Sequence, residues 1–230
     1  MSRLRWTSLG TVLLVAVCCI QVVAHRPVAV GESYPSASRA LELETIDVSQ
    51  VAYADLSGGE QLWITFVIEE PGELHVSLGI PVLAALADFR PSMAVLGPSM
   101  EPIDLSFSIP PGVGGVHFAT TEVPIPEAFH EPFTRTDSWI VLEESVSLTA
   151  PGRYYVVAFT AGESPAKLWV AIGKEERFGL RDILRLPAIA RDVQAFHEIE
   201  HRPLARAWEA LLVAAILGGM LSWLVAVTYW

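Results

Sequence analysis

Apolar residues along this chain recur with three different periods. From Leu62 the side chains alternate, with Leu62, Ile64, Phe66 and Ile68 in step against Trp63, Thr65 and Val67. The turn Glu69-Glu70-Pro71-Gly72 leads into a second alternating run, Leu74, Val76, Leu78 and Ile80, and the pair predicts a hairpin. Further strands are predicted at 93–96, 103–109, 115–120, 139–148, 153–160 and 167–172, punctuated by Gly97-Pro98, Pro110-Pro111-Gly112 and Pro151-Gly152. Val82 to Asp88 fits one or two helical turns, and Thr121 to Asp137 a long loop. After Gly173 the period becomes helical. Ile189, Val193, Phe196 and Ile199 form one stripe, preceded by Phe178, Ile183, Leu184 and Leu186. Pro187 and Pro203 suit the first turns of the helices that follow them. The stripe has two possible resting places, the strand domain or a lipid interface. The strand domain is preferred.

At each end the polar positions disappear. Arg3 and Arg5 precede an uncharged run from Trp6 to Ala24, which ends in Val22-Val23-Ala24 and reads as a cleaved signal peptide. Val17 before Cys18 does not suit lipidation. Left uncleaved, the same run would be a second anchor. Glu209 to Trp230 carries no charge after its first residue and as a helix would reach about 33 Å, enough for a hydrocarbon core of about 30 Å. Ala210, Ala214, Gly218, Ser222 and Ala226 recur every fourth residue, a ridge of small side chains suited to pairing with another membrane helix.

The expected fold is therefore mainly β: an antiparallel β-sandwich of jelly-roll-like type, followed by two short amphipathic helices and one C-terminal transmembrane helix. In order, these are a signal peptide (1–24), an N-terminal extended segment (25–45), an extracytoplasmic sandwich (46–173), juxtamembrane helices (174–207) and the membrane helix (208–230). Trp208 would mark the outer membrane boundary, and Tyr229 with Trp230 the inner one. Arg202 and Arg206 then lie on the outer side, against the usual charge bias, which long translocated domains override.

Charge narrows the partners. Residues 25–173 hold 19 acidic and 6 basic side chains, a net of −13, whereas 174–209 holds seven of each. Such a domain repels nucleic acid and anionic lipid. Both cysteines, Cys18 and Cys19, fall in the N-terminal run, so the mature domain holds without disulfides. Asn is absent, which excludes N-glycosylation.

Candidate chemistry is sparse. Cleavage after Ala24 would leave His25 at the terminus, where amine and imidazole can chelate copper with help from His75, His117 or His130. His197-Glu198-Ile199-Glu200-His201 satisfies HExxH, the spacing of two zinc-ligating imidazoles on one helical turn. Glu200 and the nearby Pro203 argue against that reading, and a solvated helix face explains the segment as well. The 121–137 loop carries Phe129, His130, Glu131, Phe133 and Arg135, a binding surface or a cover for the end of the sandwich. No phosphate loop, GxSxG elbow or CxxC is present. The expectation is a membrane-tethered binding or assembly module without catalytic activity or cofactor, its partners the lipid bilayer and a second membrane helix, in a homodimer or larger complex. Copper or zinc binding is the alternative.

The runs PGRYYVVAFTAGESPAKLWVAIG (151–173) and EQLWITFVIEEPGELHVSLGI (60–80) resemble the closing hairpin and opening strands of bacterial pre-peptidase C-terminal domains. That resemblance implies a small jelly-roll-like sandwich attached to an exported protein. Phe89-Arg90-Pro91-Ser92 stands where the family carries an acidic motif, so a calcium site is not carried over.

Overall fold

A computed structural model describes residues 26–57, 59–123, 126–132, 134–160, 162, 165–175 and 180–199, with side chains of the last segment from 187 onward. Apart from Glu198 and Ile199 these belong to one compact unit that ends at His197.

Eleven strands form two stacked sheets. In chain order they are β1 (Arg26–Val30), β2 (Leu41–Glu42), β3 (Gln50–Leu56), β4 (Gln61–Ile68), β5 (Gly72–Pro81), β6 (Ser92–Gly97), β7 (Gly114–Phe118), β8 (Glu127–Glu131), β9 (Thr136–Leu148), β10 (Gly152–Phe159) and β11 (Ala166–Ile172). The six-stranded sheet has the order β1-β3-β11-β5-β9-β8, and the five-stranded sheet β2-β4-β10-β6-β7. Between them the inward rows interdigitate, among them Phe66, Leu74, Leu78, Tyr154, Val156, Leu168 and Val170, all buried. Tyr154 stacks on Phe66 and donates its hydroxyl hydrogen to the Ala150 carbonyl at 2.8 Å, which ties the turn before β10 to the core.

The sandwich is mixed rather than purely antiparallel. The N-terminal segment lays β1 parallel to β3 and β2 parallel to β4, one added strand per sheet. β3 was also absent from the predicted strands, although it lies beside β11 in its sheet. Its sequence, QVAYADL, is buried on both faces from Gln50 to Ala54 and therefore shows no polar alternation.

The predicted hairpin of 62–68 with 74–80 does not form, because β4 and β5 lie in different sheets. The same holds for β10 and β11. Alternation tells which side of a strand is buried but not which strand lies beside it. A short turn can fold a strand back on its neighbour or carry the chain across to the other layer. Sequence neighbours that pair are β8 with β9, a short hairpin, and β6 with β7, joined by the long connection 98–113.

The segment 103–109 is a cover rather than a strand. Ile103, Leu105, Phe107 and Ile109 pack half-buried on the outer face of the five-stranded sheet over Trp63, Leu96, Val157 and Phe159. Prolines at 102, 110 and 111 bracket the segment at both ends. Between 82 and 88 a single 3₁₀ turn, Ala84–Leu86, forms as expected. Arg90 donates to the carbonyls of Ala87, Phe89 and Val123, fastening that crossing.

One α-helix follows the strands among the described residues: α1, Leu180–Phe196, running unbroken through Pro187 where two helices were expected. Proline inside a helix forfeits one backbone hydrogen bond, a loss that packing can outweigh. That packing is against the sandwich, as preferred: Ile189, Val193 and Phe196 rest on Val51, Tyr53, Trp169 and Ala171 of the six-stranded sheet. No helix of the described residues is long and apolar enough to cross a membrane. The segment proposed to do so, 208–230, and the signal lie outside the described residues.

Candidate functional site

Two arrangements of polar side chains stand on the outer face of the six-stranded sheet. The first is an open groove of about 250 Å³ beside β5 and β9. Antiparallel register places His75 opposite Ser145, and Ser77 opposite Glu143. Outward positions on this face need no apolar side chain, so polar residues occupy every second position. His75 Nδ1 lies 2.6 Å from Ser145 Oγ, and its Nε2 lies 3.3 Å from a Glu73 carboxylate oxygen. The Nδ1–Ser145 contact is a hydrogen bond, whereas Glu73 stands at ion-pair distance from the other ring nitrogen.

At the end of the groove Gly173, at φ 85°, donates its amide to the His75 carbonyl at 3.0 Å and turns the chain so that Lys174 joins the lining. A Cβ there would strike the Val48 carbonyl, so only glycine fits. Serine, histidine and glutamate are the residue types of a hydrolytic triad, but only Ser145 and His75 are joined by a hydrogen bond. Acyl transfer also needs paired donors aimed at a developing oxyanion. The floor here is a β-ladder whose amides lie in the sheet plane. The groove thus presents a hydroxyl, an imidazole, carboxylates and one ammonium to solvent.

The second arrangement is a latch beneath the end of α1. Trp169 Nε1 donates to Ser138 Oγ at 3.1 Å, and Ser138 Oγ lies 3.1 Å from His197 Nε2. His197 Nδ1 lies 2.8 Å from the Val193 carbonyl, which can only accept, so Nδ1 is protonated and Nε2 receives the serine hydrogen. Burial lowers the His197 pKa below the ordinary imidazole value, and Lys167 lowers it further. The Val193 bond and Asp137 oppose them. Gln194 donates to the Thr134 carbonyl at 2.8 Å, and Lys167 Nζ to the Phe196 carbonyl at 3.0 Å, a cation where the helix dipole favours one. Gly79 lets the Trp169 ring lie flat on β5, since a Cβ at that position would overlap the indole.

The predicted loop is for the most part a hairpin. β8 turns Phe129 and Glu131 inward, where with Tyr53 and Trp169 they line a cavity of about 10 Å³, room for roughly one water. Burial, with Glu131 beside it, pushes the Tyr53 hydroxyl up. His130 points outward, 2.8 Å from Asp137, and Arg135 is exposed with φ 54°. Phe133 lies outside the described residues. The four described residues are thus divided between that cavity and the surface.

Among the described residues the metal candidates do not converge. α1 stops at Phe196, Glu198 takes a left-handed φ of 57°, and both His197 ring nitrogens are engaged in the latch, so HEIEH is not one helical turn carrying two free imidazoles. The described histidines lie apart, His75 on β5, His117 on β7 in the other sheet and His130 on β8. Among the described residues no three potential ligands gather. His25, His201 and the ridge Ala210, Ala214, Gly218, Ser222 and Ala226 lie outside the described residues.

Glu73, Ser145, Ser138 and Trp169 were not singled out from the sequence. Their signal was present as polar or aromatic residues at outward positions, but pairing across strands became visible only with the register. No protein-family model matches this chain, and no characterised protein matches it significantly.

Proposed function

We propose that this chain is a membrane-tethered extracytoplasmic binding or assembly module without catalytic activity. The observation that carries the reading is the closed build of the described unit: α1 covers much of one outer face and the 103–109 segment covers the other, while the groove beside β5 and β9 offers polar groups of both charges to solvent. The uncharged runs at 6–24 and 210–230 support export and a single membrane anchor. The C-terminus then sits at the cytoplasmic interface, and the bulk of the chain outside.

We read the sandwich as jelly-roll-like. The orders β3-β11-β5-β9 and β4-β10-β6-β7, with the chain crossing between layers at most turns, support that reading and are compatible with kinship to pre-peptidase C-terminal domains. The extra parallel strands β1 and β2 are additions to it.

Assembly runs through the small-residue ridge around Gly218, which pairs with another membrane helix. The test is association in detergent and in bilayers of the whole chain against Gly218→Ile. The ridge predicts loss of association, and an unchanged oligomer would refute it. A metal role requires groups at His25 or His201, and metal analysis of the purified mature protein with N-terminal sequencing decides it.

A further inference from the structure

β9 is thirteen residues long, yet β8 pairs only with Thr136 to Ile140. From Leu142 to Leu148 it has β5 on one side and, among the described residues, no strand on the other, and Val141 before it is a bulge in the β5 pairing. That leaves about 25 Å of open edge at the strand rise, with N–H and C=O groups directed into solvent. Leu142, Val146 and Leu148 alternate toward the core, and Glu144 belongs to the same row but is exposed. Glu143, one residue away, stands on the opposite face beside Ser145 and the groove. An arriving strand therefore meets one carboxylate above the sheet and one below it, at adjacent positions.

A charge on the core-facing row blocks indiscriminate strand addition, because pairing would bury it alone. The same carboxylate becomes selective when the newcomer brings a cation to it. The acidic domain, net −13 over 25–173, adds long-range attraction for a basic chain and repels a second copy of itself. We propose that the β9 edge from Leu142 to Leu148 docks an extended segment of another protein carrying Lys or Arg at two successive positions, which joins the six-stranded sheet as an added strand. This names the partner class for the binding reading above and rests on it.

The test uses the full chain in nanodiscs and three synthetic octapeptides: alternating Thr and Val around a central Lys-Arg, the same around Glu-Glu, and the Lys-Arg peptide N-methylated at alternate amides on its pairing side. Fluorescence anisotropy reads binding, and amide hydrogen exchange reads where. The Lys-Arg peptide is expected to bind, to slow exchange at 142–148 while leaving 193–197 unchanged, and to weaken roughly tenfold or more with either altered peptide or with the E143Q/E144Q protein. Equal binding of the N-methylated peptide, equal binding to E143Q/E144Q, or no binding at all would overturn the proposal. None of these bears on membrane location, which thiol labelling tests separately.

Discussion

Protonating His197 would place a charge among Tyr53, Trp169 and Ser138, with Lys167 near it and Asp137 as the opposing acid. Its folded pKa lies below the unfolded value of about 6.5, so the unfolded chain binds the proton more readily. The contribution is complete above pH 6.5 and is lost as pH falls below it. Urea unfolding between pH 7.5 and 5 should show stability declining with acid, and His197→Asn should flatten that part of the profile while costing about 1–2 kcal/mol at pH 7.5. Gly79 offers a second test. Gly79→Ala forces the Trp169 indole off β5, and a loss of about 1–3 kcal/mol is expected, read as a lowered Tm and altered tryptophan fluorescence. His197 was visible in the sequence only as part of HExxH. Its partners Ser138 and Trp169 lie 59 and 28 positions away, and no local pattern joins them.

Element by element, legibility followed apolar runs bounded by turn signals. Seven of the eight strands expected from alternation or turns are present, including β4, β6 and β11, which are buried on both faces for most of their length. β3 mixes Gln, Ala, Tyr and Asp with its few branched residues and gave no such run, and β8 was hidden among prolines. The 103–109 segment had the alternation without the ladder. Its side chains do pack in order, which is all that the pattern encodes. α1 joins what Pro187 was expected to divide. Because the ring removes one backbone hydrogen bond and is exposed, Pro187→Ala should stabilise the protein, by about 1–3 kcal/mol in chemical unfolding. Val193→Ala, in the buried stripe, should destabilise it by about 1–3 kcal/mol. Opposite signs within one helix would separate backbone cost from packing gain.

For the whole molecule, the sandwich class was legible because eight short segments with turn signals have few other ways to bury both faces. The strand order was not, since β4 to β5 and β10 to β11 cross between layers through turns that also suit hairpins. Location remains the central proposal, and the composition supplies a direct probe of it. The chain has only Cys18 and Cys19, both in the uncharged N-terminal run, and Val67 is 52% exposed on the sandwich. Val67→Cys thus places a single reporter thiol on the folded domain. The decisive measurement is labelling of this variant by a membrane-impermeant maleimide in intact spheroplasts, with the unsubstituted chain as control and lysed cells as the full signal. The account predicts labelling in intact spheroplasts equal to that after lysis, on a protein that stays in the membrane pellet through alkaline extraction. Labelling that appears only after lysis, or a protein released by alkali, would contradict it.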